Sequence, residues 1–314
     1  MRKYVIKRIL MVLPVLFGIS VLVFSMARLI PGDVVAVMLG TNTDPKTAAE
    51  LRHFLGLDQP MWRQYLEWLW KLLRGDMGVS LRTGRSVAGE IVKQFPATVE
   101  LATTGMVLSL LVAIPIGTIS AVRRNTWLDY GGRIVAILGV ATPDFWLGTM
   151  LILVFALWLR VLPAAGYAPL FQHPLQSIRY MILPAFSLGT ALMAVVMRMT
   201  RSTMLEVVRQ DYIRTARAKG VAERMIVYKH ALRNALIPVV TVIGMQAGYI
   251  LGGSVIIEQV FARPGIGRLA LQAINQRDYP MVQGAVLFIT LVFVTINLMV
   301  DVVYAYIDPR IHYQ

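Results

Sequence analysis

The sequence contains no cysteine, few histidines and little charge, and each shortage excludes a class of function. Without cysteine the chain has no disulfide, no thiolate nucleophile and no cysteine-ligated metal. Its four histidines are scattered and lack the paired spacing of a metal site. Charged residues make up 15% of the chain and hydrophobic residues 57%, whereas a soluble domain is about 25% charged. This composition predicts a membrane protein.

Motifs of nucleotide binding and hydrolysis are also missing. The dipeptide Gly-Lys never occurs, so the chain has no phosphate-binding Gly-x-x-x-x-Gly-Lys-Ser/Thr loop. Neither His-Glu-x-x-His nor Gly-x-Ser-x-Gly is present. We therefore expect a protein that is not an enzyme, with no catalytic residue, metal or bound cofactor of its own. If ATP drives it, other subunits bind the ATP and its magnesium.

Long apolar runs dominate the chain. A membrane-spanning helix needs about 20 predominantly apolar residues. Six stretches reach or approach this length, each with at most one acidic residue. They are Ile9–Ala27, Leu101–Val122, Ile134–Leu159, Tyr180–Met197, Leu236–Ile257 and Ala285–Tyr306. The pattern predicts an all-α, polytopic membrane protein with six transmembrane helices.

Basic residues predict the orientation of these helices. With six spans, both termini lie on one side of the membrane. The termini and connections on that side carry 17 Lys/Arg, against five in the two short connections on the other side. Because basic residues are retained in the cytoplasm, both termini are predicted to be cytoplasmic, in the cytoplasmic membrane. This bias and contact with membrane lipid explain most of the net charge of +14, so we expect no nucleic-acid partner.

The spans divide the chain into four predicted segments. A first transmembrane helix (1–31) precedes an extracytoplasmic helical segment (32–100). A five-helix core (101–307) follows, with a basic connection at 198–235, and residues 308–314 form a cytoplasmic tail. The second outward connection, 258–284, is longer than joining two spans requires, and its turn signals predict a short helix at Arg268–Ile274.

The extracytoplasmic segment has two helix signals. Thr43 or Asp44 as a cap before Pro45 predicts one helix that stops at Gly56, and a second is predicted from Pro60 to Gly75. The second helix has an apolar stripe that either packs on the spans or the lipid interface, or docks an external partner. The stripe consists of Trp62, Tyr65, Leu66, Leu69 and Leu73.

Two acidic residues lie inside the predicted spans. An acid in the membrane is costly and indicates a functional site by default, so Asp144 and Asp301 are candidates for a translocation path. Each also has a structural explanation. Thr142 and Pro143 are typical of a helix start, with Asp144 in the favourable first turn. Asp301 lies about five residues from the cytoplasmic end of its span.

The fifth span carries a face of small residues. Gly244, Gly248 and Gly252 are four residues apart, a spacing that lets helices approach closely in lipid. The face is either a packing surface or the smooth wall of a translocation path, with Gln246 as the polar residue beside it. Both interpretations stay open on the sequence alone.

The basic connection predicts two helices that meet at Gly220. The segment before Gly220 is rich in helix-forming residues, and glycine stops helices. Ala216 and Ala218 predict a shallow surface just before the stop. The second helix runs into the fifth span and has an apolar stripe. The stripe consists of Val221, Met225, Tyr228 and Leu232.

Several motifs resemble the peptide/nickel permease family of ATP-binding cassette importers. They extend over nearly the whole chain and are specific to that family, whereas residues 34–54 resemble it least. They are "KRILMVLPVLFGISVLVF" (7–24), "LGLDQP" (55–60), "GDMGVS" (75–80), "ATVELA" (97–102), "GGSVIIEQVFARPGIGRL" (252–269), "RDYPMVQG" (277–284) and "DPRI" (308–311).

The resemblance implies a type I ABC importer permease fold and a pore-forming subunit that imports dipeptides or oligopeptides. Its implied partners are a second homologous permease subunit, two cytoplasmic ATP-binding subunits and an extracytoplasmic solute-binding protein. It also implies a coupling helix that seats in an ATPase cleft. The residues carried over to that role are Tyr212, Arg214, Thr215, Ala216, Ala218, Lys219 and Gly220. The Glu-Ala-Ala found in many importers is Arg214-Thr215-Ala216 here, so the glutamate is absent.

Alternatives remain at this stage. A nickel or glutathione-type solute is possible within the same family. A stand-alone secondary transporter or channel would use Asp144 and Asp301 as an ion relay, but the halves show none of the inverted repeats common in such folds. A structural scaffold would leave the glycine face and the helix junction without a purpose.

Overall fold

The computed structural model describes residues 2–29, 44–54, 57–170 and 172–307. In these ranges the chain is helical, with one isolated antiparallel bridge between Val79 and Ser86, which confirms the predicted all-α class. The helices are α1 (Arg2–Leu29), α2 (Pro45–Phe54), α3 (Met61–Leu73), α4 (Val87–Val122), α5 (Trp127–Ala141), α6 (Asp144–Leu151), α7 (Pro174–Val207), α8 (Asp211–Ala218), α9 (Glu223–Val260), α10 (Ile266–Asn275) and α11 (Tyr279–Ile307). Two stretches are π-helical: Ile152–Trp158 after α6, and Ile226–Ala231 within α9.

Among the described residues, four helices are long and apolar enough to cross a membrane: α4, α7, α9 and the Tyr279–Val302 part of α11. The pair formed by α5 and α6 with its π-helical extension passes the same test together but is bent by 107°. A shorter apolar stretch, Leu10–Met26, lies in α1. The structure thus has apolar helices at all six predicted spans, while six crossings and cytoplasmic termini stay predictions.

Several helices extend well beyond their apolar runs. The predicted span Leu101–Val122 lies in α4, which begins at Val87. The predicted span Tyr180–Met197 lies in α7, which continues to Val207. Residues 198–235 are therefore mostly helical rather than a loop. Hydropathy indicates which part of a helix is apolar. Helix-forming residues beyond that part extend the same helix into water.

The predicted third span, Ile134–Leu159, is not one continuous helix. Proline disfavours helical conformation in the residue before it, and Thr142 is extended at φ −88° and ψ 122°. The expected cap by Thr142 is wrong, because its Oγ1 donates to the Leu138 carbonyl, 2.7 Å away in α5. Helix α6 instead begins at Asp144 without a side-chain cap.

Contacts group the chain into two units, Met1–Pro96 with Pro264–Leu298, and Ala97–Arg263 with Met299–Gln314. In the first unit α3 packs on α1 through Tyr65, whose hydroxyl lies 2.8 Å from Ser20 Oγ and whose ring meets Phe24 edge-on. Trp62 and Leu66 of the predicted stripe remain exposed. That stripe is therefore only partly a packing surface.

The first unit also confirms one short helix and two predicted helix starts, at Pro45 for α2 and directly after Pro60 for α3. Asp44 caps α2 by accepting a hydrogen bond from the Lys46 N–H, at 3.3 Å, while Thr43 and the predicted stop at Gly56 lie outside the described residues. The predicted helix Arg268–Ile274 is α10. Asp278, which follows it, is buried and accepts hydrogen bonds from Ser80 Oγ at 2.5 Å and from the Leu81 N–H at 3.1 Å.

The second unit is centred on α7. Its buried residues Leu188, Leu192 and Val196 belong to a core that includes Leu101 of α4 and Ile257 of α9. Helices α4 and α7 approach closely at small residues: Ser109 Oγ donates to the Gly105 carbonyl of its own helix at 2.6 Å and to the Gly189 carbonyl of α7 at 2.7 Å. Such contacts are typical of helix packing in lipid.

Candidate functional site

Helix α8 is a short separate helix attached by one buried side chain. Of its eight residues only Ile213 is fully buried. Ile213 packs in a cluster with Met204 of α7 and with Ile226, Ala231 and Ala235 of α9. Fully burying one isoleucine contributes about 1.5–3 kcal/mol. Ile213 therefore holds α8 against the start of α9 and the end of α7.

The end of α8 is a Schellman motif built on Gly220. The Gly220 N–H donates to the Arg217 carbonyl at 2.9 Å, and the Val221 N–H donates to the Ala216 carbonyl at 3.2 Å. Gly220 has φ +75°, and a methyl group added there would meet no atom within 4 Å. The position therefore requires glycine for its backbone conformation, not for lack of space.

The outward surface of α8 is polar and basic. Tyr212, Arg214, Thr215, Ala218 and Lys219 are all exposed. Ala216 differs, because it is half-buried against the cluster around Ile213. The shallow patch predicted from both alanines is therefore formed by Ala218 and Gly220, while Ala216 contributes to attachment.

Two polar contacts brace α8 against α9 across the turn. Arg217 donates to both carboxylate oxygens of Glu223, at 2.6 and 3.1 Å. This contact lowers the pKa of Glu223 below its ordinary value and raises the pKa of Arg217. Farther along α9, Asn234 Nδ2 donates to the Tyr212 hydroxyl at 2.8 Å. The two helices thus form one braced elbow, which we call the α8–α9 elbow (Asp211–Asn234).

Half of the stripe predicted on the second helix lies on the wrong face. Met225 and Tyr228 are exposed, whereas Ile226 and Val227 are buried. The ladder between Ile226 and Ala231 is π-helical, and a π-turn changes which side chains share a face. Val221 and Leu232 of the predicted stripe do pack against the cluster.

A buried ion pair beside the elbow was not predicted. Asp129 of α5 has no exposed surface. Its carboxylate accepts hydrogen bonds from Arg201 Nε at 2.6 Å, Arg201 Nη2 at 3.0 Å and the Asn125 N–H at 3.0 Å. Arg133 lies 3.3 Å away. The sequence offered only the i, i+4 spacing of Asp129 and Arg133, because Arg201 is 72 residues away.

A second unpredicted cluster joins the N-terminal half of α4 to the C-terminal end of α9. The Arg263 side chain is fully buried, donates to Glu100 at 2.9 Å and lies 4.7 Å from the centre of the Tyr167 ring. Burial lowers the pKa of Arg263, and the nearby Glu100 carboxylate opposes that shift. Thr98 Oγ1 donates to buried Glu258 at 2.6 Å. These contacts fix the connection that follows α9.

Asp144 occupies the start of α6 and faces α9. Its carbonyl accepts a hydrogen bond from Ser187 Oγ of α7 at 2.7 Å. Its carboxylate Oδ2 would lie 3.9 Å from a methyl group added to Gly253. The structure therefore brings Asp144 beside Gly253, a residue that the sequence did not single out, rather than onto the predicted glycine face.

The three predicted glycines of α9 have different surroundings. A methyl group on Gly244 would lie 2.5 Å from a methyl of Val300 in α11, so Gly244 permits close helix packing. Gly248 is buried, and Gly252 is exposed with no atom near its added methyl. Close helix packing explains why position 244 is glycine, whereas no packing contact explains the glycine at position 252.

Gln246 and Asp301 are both half-buried. Asp301 follows Val300, which packs at Gly244, whereas Asp144 lies at Gly253. Nine residues of α9 separate these glycines, about 13 Å along the helix at 1.5 Å per residue. The two acidic residues are thus not brought together.

Comparison with known proteins assigns the family. Residues 113–313 match the model of the binding-protein-dependent transport system inner membrane component, and residues 1–102 match its N-terminal model. The dipeptide transport system permease protein DppB of Alkalihalophilus pseudofirmus is 43% identical, with 100% of both chains covered. DppB of Escherichia coli K12 is 40% identical, also with 100% of both chains covered. A putative peptide transport system permease protein of Brucella suis is 43% identical over 100% of both chains.

Solved structures support the fold. A chain of the MetNI methionine ABC transporter in inward-facing conformations aligns with a TM-score of 0.55 and 18% identity, over 70% of this chain and 96% of that one. A chain of an amino acid ABC transporter aligns with a TM-score of 0.52 and 14% identity, over 69% of this chain and 94% of that one. The chain therefore belongs to the binding-protein-dependent transport system inner membrane component family, as a multi-pass permease of the cytoplasmic membrane with a type I ABC importer fold.

Proposed function

We propose that this chain is the pore-forming subunit of an ATP-driven importer for short peptides, and that α8 receives the motion of a partner ATPase. The peptide class rests on the full-length relatives named as dipeptide and peptide permeases. The partners are a second permease subunit, two ATP-binding subunits and an external solute-binding protein. ATP and magnesium are bound by the ATPases and not by this chain.

The observation that carries the coupling role is the attachment of α8. Its polar face is exposed, while Ile213, the Schellman turn at Gly220 and the Arg217–Glu223 pair fix its other side to α9. A force applied to α8 is therefore transmitted to α9 as a rigid-body movement rather than absorbed by a flexible loop. Because α9 continues to Val260, the movement reaches the opposite side of the membrane.

Helix α7 extends the path of transmission. It ends at Val207, a few residues before α8, and its Arg201 is tied to Asp129 of α5. Displacement of the elbow therefore acts on α5 as well as on α9. We propose that Asp144, Gln246, Gly248, Gly252 and Asp301 lie along the translocation path, with Gly244 packing against Val300 of α11.

An ion relay through Asp144 and Asp301 receives less support. Proton or ion transfer between carboxylates requires hydrogen-bond distances or an intervening chain of water and polar groups. The two acids are separated by about 13 Å of α9, estimated from its rise per residue, and the intervening face is mostly apolar. Membership of a binding-protein-dependent family also favours an ATP-driven importer.

Reconstitution tests the proposal. Liposomes holding this chain, its partner permease and both ATPases should take up labelled dipeptide when ATP and the solute-binding protein are supplied. Liposomes holding this chain alone should take up none, and uptake by the chain alone would contradict the proposal. A panel of dipeptide, longer peptide, nickel chelate and glutathione identifies the solute.

A matched pair of substitutions tests the role of α8. Ala218→Trp places a bulky ring on the exposed face without touching the cluster around Ile213, so ATP-binding subunits should be lost on purification. Met225→Trp is the control, since Met225 is 48% exposed in the same elbow but outside α8. If both variants retain the ATPases equally, α8 is not part of the docking site.

A further inference from the structure

A groove lies between the C-terminal end of α4 and the start of α9. It encloses about 500 Å³, much more than one phosphate ion occupies. Arg123 and Arg224 line it together with residues that include Ile119, Val122 and Tyr228. No residue of α8 lines it, so it is distinct from the docking face proposed above.

The charge at this groove is strongly positive. Glu223 also lines it, but both of its carboxylate oxygens accept hydrogen bonds from Arg217, which neutralises that acid. Within the described part of the chain, neither Arg123 nor Arg224 forms a salt bridge. The groove therefore presents two uncompensated cations beside apolar side chains.

The level of the groove relative to the membrane follows from its surroundings. Apolar α4 ends at Val122 and is followed at once by Arg123 and Arg124. Trp127 is 79% exposed and Tyr228 54% exposed, and such aromatic side chains collect where acyl chains meet head groups. A ligand here thus meets apolar wall on the membrane side and arginine on the aqueous side.

We propose that this groove binds one anionic phospholipid of the cytoplasmic leaflet. Its phosphate and head group lie between Arg123 and Arg224, and the upper part of its acyl chains lies along Ile119 and Val122. Basic pockets between helices on the cytoplasmic side are suited to such head groups. Because the groove spans α4 and the elbow, the bound lipid links the membrane surface to the coupling element.

Lipid retention tests the site. The full chain is purified with its partner subunits from vesicles of equal phosphatidylglycerol and phosphatidylcholine, and retained lipids are counted by native mass spectrometry. Arg123→Gln with Arg224→Gln should lower phosphatidylglycerol retention about 25-fold, because each basic residue contributes roughly fivefold. The control pair, Arg209→Gln with Arg233→Gln, removes the same charge at exposed positions outside the groove and should retain the lipid.

Other outcomes overturn the proposal. The anionic lipid site is contradicted if the two double variants retain equal amounts of phosphatidylglycerol. It is also contradicted if the native complex retains as much phosphatidylcholine as phosphatidylglycerol. Displacement of the lipid by millimolar inorganic phosphate indicates a simple anion site. A photoactivatable label on Val122→Cys, the only cysteine in the variant chain, should form an adduct with lipid, and an adduct with a protein subunit instead assigns the groove to a protein interface.

Discussion

Arg201 of α7 donates two hydrogen bonds to the fully buried carboxylate of Asp129 in α5, at 2.6 and 3.0 Å. This bidentate pair holds together two helices of the second unit close to the α8–α9 elbow. Arg133 and the Asn125 N–H complete the environment of the carboxylate. Because of this geometry, α5 and α7 should move together in the proposed transmission of movement.

Replacing Arg201 by Gln should destabilise the protein by about 3 kcal/mol, because a buried carboxylate loses its main partner. Thermal unfolding of the purified chain in detergent measures the change. Asp129→Asn combined with Arg201→Gln should recover part of the loss. Arg198→Gln, at an exposed position of the same helix, is the control and should lie within about 0.5 kcal/mol of the native protein.

Gly220→Val should uncouple the importer. A side chain at φ +75° costs roughly 1–2 kcal/mol, more for a β-branched residue, and relief of that strain disrupts the Schellman turn. Co-purification should show loss of the ATPases while the solute-binding protein still docks. Gly220→Asn should be tolerated, because asparagine adopts left-handed conformations more readily. Gly131→Val, at a helical glycine with no atom within 4 Å, controls for bulk, and normal transport by Gly220→Val would contradict the role of the elbow.

Acidification should weaken the brace between Arg217 and Glu223. The folded state lowers the pKa of Glu223 below its ordinary 4.5. The ion pair therefore stabilises the folded state fully above pH 4.5, and this stabilisation is lost as the pH falls through the lowered pKa. Both side chains are substantially exposed, so the contribution is only about 0.2–1 kcal/mol. Unfolding midpoints between pH 6 and pH 3 should fall less steeply for Glu223→Gln than for the native chain. Glu206→Gln, an exposed acid of α7, should retain the native pH profile.

Two glycines of α9 should respond differently to a methyl group. Gly244→Ala pushes against Val300 and should cost about 1–3 kcal/mol, with recovery when Val300→Ala is added. Gly252→Ala meets no atom and should leave stability unchanged or slightly raised. If Gly252 lines the path, Gly252→Leu should reduce uptake at native stability. Unchanged uptake would remove Gly252 from the path.

The sequence located the apolar segments and the helix junction well, because hydropathy and a glycine stop are local signals. It did not show the ends of the helices: α4 begins before its apolar run and α7 continues beyond it. The break before Asp144 was partly visible in Pro143. Its 107° bend depends on how α6 packs on α7 and α9, which no local pattern contains.

The residues around the elbow show the same limit. Ala218 and Gly220 could be recognised from helix-stop chemistry, and the braced geometry agrees with the predicted junction. The stripe from Val221 to Leu232 was wrong in part because a π-helical stretch departs from the period of 3.6 residues. Asp129 and Arg201 could not be paired, since their contact depends on the packing of α5 on α7.

Site-specific cross-linking tests directly whether α8 contacts an ATP-binding subunit. The native chain has no cysteine, so Ala218→Cys carries the only thiol of this subunit for a short photoactivatable reagent in the assembled importer. We expect an adduct between this residue and an ATP-binding subunit, whereas Ser202→Cys, exposed on α7, should give little. An Ala218 adduct confined to lipid or solvent, in a complex that still transports peptide with ATP, would contradict it.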